Sequence, residues 1–253
     1  MTEWTWAAAS SRGTSHERRG EPKQDAFRVV DGGRGSGLLA VVACDGAGSS
    51  PRGGAGAAIA ARGLGACAAA WIGGLGRVPH PDAVIAWMLH ARRHLVGLAD
   101  RYRFDASDLA TTAVLVVSDG ERSVTAHVGD GAVVAREAST GRWISLSWPE
   151  HGEYASTTRF LTDPEGLSLR VAEHGVGIDR IAVMTDGLER LALDFGRRTP
   201  HAAFLEPMSA ALGGRNATGR ADDVSEALVR YLGSDRINDR TDDDKTLVLA
   251  SRS

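Results

Sequence analysis

The sequence predicts an α/β fold of the α+β type, with largely antiparallel sheets and helices layered outside them. Three observations carry this expectation. β-like runs separated by tight Asp-Gly turns crowd residues 111–136, and helical patterns arrive in pairs on either side of them. About 250 residues of ordinary apolar and charged content also suffice for one large core. A single domain over 1–253 follows, because no linker divides the chain.

The first expected strand is 4–10, followed by a polar loop through Arg18 and Arg19 and then a hairpin whose turn is Asp31-Gly32-Gly33. The hairpin's second arm, the apolar run 38–44, ends at Asp45. Helices are expected at 55–71 and 82–102; Pro79 and Pro81 introduce the second, and Val84, Met88, Leu95 and Leu98 recur in it at helical spacing. The period then changes. Residues 111–117, 123–128 and 132–136 read as strands, and the turns Asp119-Gly120 and Asp130-Gly131 between them predict an antiparallel meander. The stretch 149–166 is polar and broken, as a flap over a site would be. Strands at 169–173 and 180–184 precede helices at 188–193, 202–212 and 222–232, and a last strand runs over 246–250.

The formal net charge of -3, mixed in sign along the chain, leaves no basic footprint for nucleic acid. Lysine appears only at Lys23 and Lys245, so the positive charge is almost all arginine, which suits planar recognition of phosphate. Cys44 and Cys67 are too few for a disulfide framework or a zinc ribbon and favour a reducing, cytoplasmic setting. The first residues lack the basic-then-apolar pattern of a signal peptide. The Ala/Gly-rich stretch 53–76, interrupted by Arg62, reads as a buried helix and not as a membrane span. Neither nucleic acid nor membrane is expected as a partner.

Four short aspartate-bearing segments carry the chemistry: Gln24-Asp25-Ala26-Phe27, Cys44-Asp45-Gly46-Ala47-Gly48, Thr185-Asp186-Gly187-Leu188 and Asp242-Asp243-Asp244-Lys245-Thr246. Three of them stand at the edge of a strand-like run, where rigid scaffold meets solvent. Asp31-Gly32 and Asp119-Gly120 read as ordinary turns. Four carboxylates gathered without a cation repel, each pair at ~4 Å by roughly 4 kcal/mol at an effective dielectric of ~20, so the cluster would protonate in part or bind divalent metal. All-oxygen ligation selects hard ions such as Mg²⁺ or Mn²⁺. Two ions ~3.5–4 Å apart activate water for hydrolysis of a phosphomonoester without a protein nucleophile.

In their order, these segments resemble the metal-dependent type 2C protein serine/threonine phosphatases, particularly the bacterial branch. The resemblance runs from Ser10 to Ala250. It rests on Ser11 to His16 leading to Gln24-Asp25-Ala26, on Val42 to Gly48, on Ala110-Thr111-Thr112-Ala113 and on His127 to Gly131. Further pieces are Gly152-Glu153-Tyr154-Ala155, Phe160-Leu161-Thr162-Asp163, Met184 to Glu189 and Asp243 to Leu247.

The resemblance implies a four-layer αββα sandwich and two metal ions. Asp45 would bridge them, joined by the main-chain carbonyl of Gly46; Asp186 and Asp243 would bind the first ion, and Asp25 would orient water on the second. Asp130, with Asp186, would hold a third ion, as in some bacterial members, against a reading of Asp130 as the turn of a strand pair. The implied partner is a phosphorylated protein, a serine/threonine kinase or its target. The chain departs from the family pattern twice. Gly20 stands where an arginine five residues before the first aspartate binds phosphate, leaving Arg12, Arg18, Arg19 or Lys23 as substitutes, with Arg18 or Arg19 favoured. Ala47 stands where some eukaryotic members place a histidine acid, a role His16 could take unless it is a surface-loop histidine.

Other readings of the same residues are weaker. Cys44 lacks the arginine six positions later that a cysteine phosphatase needs; Ser50 is there, and Arg52 follows. The Gly-rich stretch 46–56 lacks the Gly-Lys-Ser/Thr ending of a phosphate-binding loop. His90 and His94, one helical turn apart, have no glutamate after the first to make a zinc motif, and the six tryptophans are scattered core residues. Two rivals stand beside the enzyme: a noncatalytic module that binds a phosphorylated partner, motivated by the displaced arginine, and a phosphatase of nucleotides or small molecules.

Overall fold

Three apolar strata separate four layers. The computed structural model describes residues 3–33, 35–150, 158–215 and 218–252; residues 151–157 of the expected flap, with the Gly152–Ala155 motif, lie outside them. Sheet one has the order β2-β3-β4-β5-β8 and sheet two the order β12-β1-β13-β9-β6-β7. In chain order the elements are β1 (Trp4–Ser11), α1 (Thr14–Arg19), β2 (Asp25–Asp31), β3 (Leu39–Asp45), α2 (Gly53–Leu75), α3 (Pro81–Tyr102), β4 (Ala113–Ser118), β5 (Ser123–Val128), β6 (Ala132–Glu137) and β7 (Trp143–Ser147). There follow β8 (Arg170–His174), β9 (Ile178–Met184), α4 (Glu189–Ala192), β10 (Leu193–Asp194), β11 (Thr199–Pro200), α5 (Ala202–Ala210), β12 (Gly219–Arg220), α6 (Asp222–Leu232), α7 (Asp235–Asn238) and β13 (Lys245–Arg252).

Alternation along each central strand explains the stacking. In β3, Ala40, Val42 and Cys44 face α2 and α3, while Leu39, Val41 and Ala43 face the second sheet. In β13, Val248 and Ala250 meet that same inter-sheet core, whereas Leu247 and Leu249 face α4, α5 and α6. Strands buried on both faces read as unbroken apolar runs, which is how they stand in the sequence. α2 is long and apolar enough by length and composition to cross a membrane. Here its Ala57, Ala61, Leu64 and Ala68 lie in the core against sheet one.

The four-layer sandwich agrees with the expectation, and several local readings do not. The polar loop through Arg18 and Arg19 contains α1, and the Asp31-Gly32-Gly33 turn is a longer connection closed by Gly32 N donating to Leu38 O at 2.9 Å. The meander ends after two strands. β4 pairs with β5, but β6 pairs with β7 and β9 in the other sheet, so Gly129-Asp130-Gly131 carries the chain between sheets and is no hairpin turn. The expected helix at 188–193 is a 3-10 turn followed by the short α4. β7, α7 and the two-residue strands β10, β11 and β12 lie outside the expected elements.

Candidate metal centre

Cross-strand register assembles the first half of the site. β2 and β3 pair with Asp25 opposite Asp45 and Ala26 opposite Cys44. The main chain of Asp45 is then pinned: its carbonyl accepts from Thr112 N at 2.8 Å and Thr111 Oγ1 at 2.9 Å, and its N–H donates to Thr112 Oγ1 at 3.1 Å. The second half comes from the other sheet. β9 and β13 are neighbours with Met184 opposite Leu247, so Asp186 and the acidic loop 242–244 leave adjacent strands at the same end. Thr185 Oγ1 at 2.8 Å and Thr246 Oγ1 at 2.7 Å both donate to Asp25 Oδ2, tying the two sheets together at this carboxylate. Gly187 is required there: a Cβ would fall 1.9 Å from Asp244 O.

A cleft of about 390 Å³ opens between the halves, lined by Asp45, Gly46, Asp130, Asp186, Asp242 and Asp243, with His16 and Arg19 on its wall. Asp25 lies below it, 5 % exposed. Larger hollows exist, among them one of about 650 Å³ beside Trp4 and Asp31, so chemistry and not volume singles out this cleft. Burial pushes the Asp45 carboxyl well up, and the charges of Asp25, Asp186, Asp243 and Asp130 add to it. Asp186 is raised by burial, then by Asp130, Asp243 and Asp25. Asp25 is raised by burial to about 6 despite hydrogen bonds from Thr246 and Thr185, with Asp244 adding and Lys23 opposing.

This donor set fits hard divalent cations. Asp25 Oδ1 is buried without a hydrogen-bond partner. Asp186 and Asp45 lie within hydrogen-bonding reach of each other, which two carboxylates tolerate only over a shared proton or cation. Among the described residues no three acidic, histidine or cysteine side chains close on one point. An ion here would therefore complete its shell with main-chain carbonyl, water and substrate oxygens, as Mg²⁺-type ions do. The Gln24 amide, oriented as its hydrogen bonds require, donates to Gly46 O at 2.8 Å and Ala47 O at 3.1 Å. Each carbonyl retains a second lone pair, so Gly46 can still face the cleft.

The structure brings Asp25, Asp45, Asp130, Asp186 and Asp243 together, although Asp130 arrives by the sheet crossover. Asp130 is 6 % exposed and accepts from Thr158 Oγ1 at 2.6 Å. Of the four basic residues, Arg19 lines the cleft; its Nε meets Glu21 at 2.8 Å. Arg18 is held outside through Asp242 at 2.8 Å, Arg12 turns to His16 O at 2.9 Å, and Lys23 turns to Asp25 O. Gly20 caps α1 at φ 69°, a left-handed position that disfavours the arginine expected there. His16 is no surface-loop histidine: it is 3 % exposed because α1 folds onto Asp244, whose Oδ1 stands 3.0 Å from His16 Nδ1, off the hydrogen-bonding direction.

Sequence reasoning missed the support. Asp244 accepts from Gly13 N at 2.7 Å and from Gln24 N, fixing both segments that flank α1. Lys245 is wholly buried and donates to Asn238 Oδ1 at 2.7 Å. The run of three aspartates was the only signal for Asp244, and it could not say which carboxylate faces inward. Cys44 is buried with its thiol pushed up by desolvation, and Arg52 pairs with Asp108 at 2.7 Å, so no cysteine nucleophile forms. His90 and His94 are exposed on α3.

A family model described as protein phosphatase 2C matches residues 12–233. Serine/threonine-protein phosphatase 3 of Escherichia coli (strain K12) is 34 % identical over 251 residues, covering 98 % of each chain. The solved PppA of Pseudomonas aeruginosa, described as a key regulatory component of T6SS, superposes with a TM-score of 0.65 at 18 % identity, over 99 % of this chain and 98 % of that one. The catalytic domain of PstP, a serine/threonine protein phosphatase solved with two manganese ions, gives 0.64 at 17 % identity over 100 % and 99 %. At those identities the structures establish the shared fold.

Proposed function

As a member of the protein phosphatase 2C family the chain is a serine/threonine protein phosphatase, and we propose that it acts as one domain on phosphoserine and phosphothreonine with metal-activated water as the direct nucleophile. Asp45 and Gly46 O would bridge two divalent ions, Mn²⁺ or Mg²⁺, with Asp186 and Asp243 on the first and Asp25 toward the second. Asp130 with Asp186 would take a third. When bound, the ions supply Lewis-acid polarisation of the phosphoryl group and activation of water. The chain's own residues supply the rest. The β2–β3 register and the Thr185 and Thr246 hydroxyls hold the carboxylates in place, and bound cations would favour the ionised form of Asp45 and Asp186 that burial and the neighbouring carboxylates disfavour. Arg19, on the cleft wall, is the basic group best placed to grip substrate phosphate. His16 is a candidate proton donor to the leaving alkoxide.

The observation that carries this reading is the convergence of carboxylates from two sheets on one cleft, with the buried, unpartnered Asp25 Oδ1 beneath it. The related structure with two manganese ions supports the choice of cofactor. The expected partner is a phosphorylated protein, a serine/threonine kinase or its target, in the cytoplasm. The test is hydrolysis of a phosphothreonine peptide and of para-nitrophenyl phosphate with and without Mn²⁺. We expect metal-dependent turnover that Asp45→Asn reduces by about 100-fold or more. Retained phosphopeptide binding with no turnover by wild type would instead favour the binding module, and preference for nucleotides the small-molecule phosphatase.

A further inference from the structure

A second cavity, of about 620 Å³, lies among α4, α5, α6 and α7. Its floor is apolar, formed by Phe204, Met208 and Tyr231, which pack partly buried on the core beneath α5 and α6. Around it stand Arg190, Arg236 and Arg240, all exposed, and no carboxylate lines it among the described residues. Elsewhere the arginines are mostly engaged, as Arg136 is with Asp179 and Glu206 and Arg215 is with Asp223. These three have no ion pair or hydrogen bond from their side chains among the described residues. A wholly cationic groove in a chain of net charge -3 is not a consequence of composition.

The groove adjoins the metal centre along the chain. Arg190 follows Asp186 by four residues and Arg240 precedes Asp243 by three. Four residues span at most about 14 Å, so a polypeptide with its phosphorylated residue in the cleft reaches the groove within about half a dozen residues of its own. We propose that this groove docks an acidic segment of the phosphoprotein substrate, carboxylates meeting the three guanidinium groups and an apolar side chain resting on Phe204 and Met208. The proposal rests on the phosphatase reading above. Exposed ion pairs are individually weak and screened by salt, so three acting together favour acidic substrates by about tenfold, through KM, at low ionic strength.

The experiment compares two phosphothreonine peptides, one flanked by Asp and Glu with a single Leu, the other by Asn and Gln with the same Leu, alongside para-nitrophenyl phosphate. The full chain is assayed with Mn²⁺ as wild type, as Arg190→Gln/Arg236→Gln/Arg240→Gln and as Arg190→Glu/Arg236→Glu/Arg240→Glu. The expected result is a wild-type kcat/KM about tenfold higher for the acidic peptide. That preference should shrink with added salt, vanish in the Gln variant and invert in the Glu variant, while turnover of the aryl phosphate stays unchanged. Equal kcat/KM for the two peptides in wild type, or a preference surviving in the Glu variant, overturns the groove. If wild type turns over neither peptide nor aryl phosphate, the phosphatase reading itself fails. Fluorescence anisotropy of the unphosphorylated acidic peptide then decides the groove alone: binding lost in the Glu variant sustains it, and equal or absent binding removes it.

Discussion

Asp244 is 1 % exposed, does not line the cleft, and accepts main-chain hydrogen bonds from both segments that flank α1. Replacing it by alanine strands two buried N–H groups, and bonds to a charged acceptor are worth ~1.5–3 kcal/mol each. Asp244→Ala should therefore lose roughly 3 kcal/mol or more in urea unfolding, and Asp244→Asn less; a loss under about 1 kcal/mol in the alanine variant would contradict this role. His127 makes a different case. It is wholly buried at the end of β5, and its Nδ1 lies 2.7 Å from Ser147 Oγ and 3.0 Å from Arg170 Nη2. Burial, aided by the Arg170 charge, lowers its pKa from the ordinary 6.5 to about 3. The native state thus binds fewer protons than the unfolded one between those values. The stabilisation is fully present above about pH 6.5 and is lost as pH falls toward 3. Wild type should accordingly lose more of its urea midpoint between pH 7 and pH 4 than His127→Gln does, and parallel pH profiles would refute the assignment.

At the scale of elements, what the sequence shows depends on whether an element's partner is its neighbour in the chain. The β2–β3 hairpin is such a case: the apolar run before Asp45 and the turn residues near 31–33 show the strand pair, whereas the register that sets Asp25 opposite Asp45 comes from the longer connection between them. β9 and β13 are also legible, because each is a short apolar run ending or beginning at an aspartate. α1 is not. Its six residues are too few to show a helical period, and His16 is its only buried side chain. The Gly129–Gly131 crossover looks like a hairpin turn locally; only the inter-sheet packing of β6, with Val133 and Ala135 facing sheet one, decides otherwise. β7 had a signal, the alternation in Trp143-Ile144-Ser145-Leu146-Ser147 after a Thr-Gly turn, but it is an edge strand with a polar second face. The 3-10 turn at Asp186–Leu188 is fitted against the 242–244 loop so closely that Gly187→Ala must displace backbone. Overpacking of this kind costs about 1–3 kcal/mol. We expect that loss in thermal or urea unfolding together with weaker Mn²⁺ affinity, since Asp186 and Asp243 move apart; unchanged stability would show that the loop yields freely.

For the whole molecule, the metal centre lies at the seam between the two sheets, which the threonine hydroxyls on Asp25 tie together there. Cations held by carboxylates from both sheets would reinforce that seam, and a ligand that binds only the native state stabilises it by mass action. At a concentration of about 100 times Kd this is ~2.7 kcal/mol, or roughly 5–10 °C in Tm for a chain of this size. Mn²⁺ should raise Tm over EDTA-treated protein by that order, and the rise should disappear in Asp45→Asn; an identical Tm with and without Mn²⁺ would mean that the carboxylates do not hold it. The scarcity of lysine has a practical corollary. Lys23 leans on the carbonyl of Asp25, and Lys245 is sealed beneath the loop that precedes β13. Amine-reactive tags will therefore find almost no side chain to modify over the outer helical layers. The many arginines leave the rest of the surface open to guanidine-directed reagents instead.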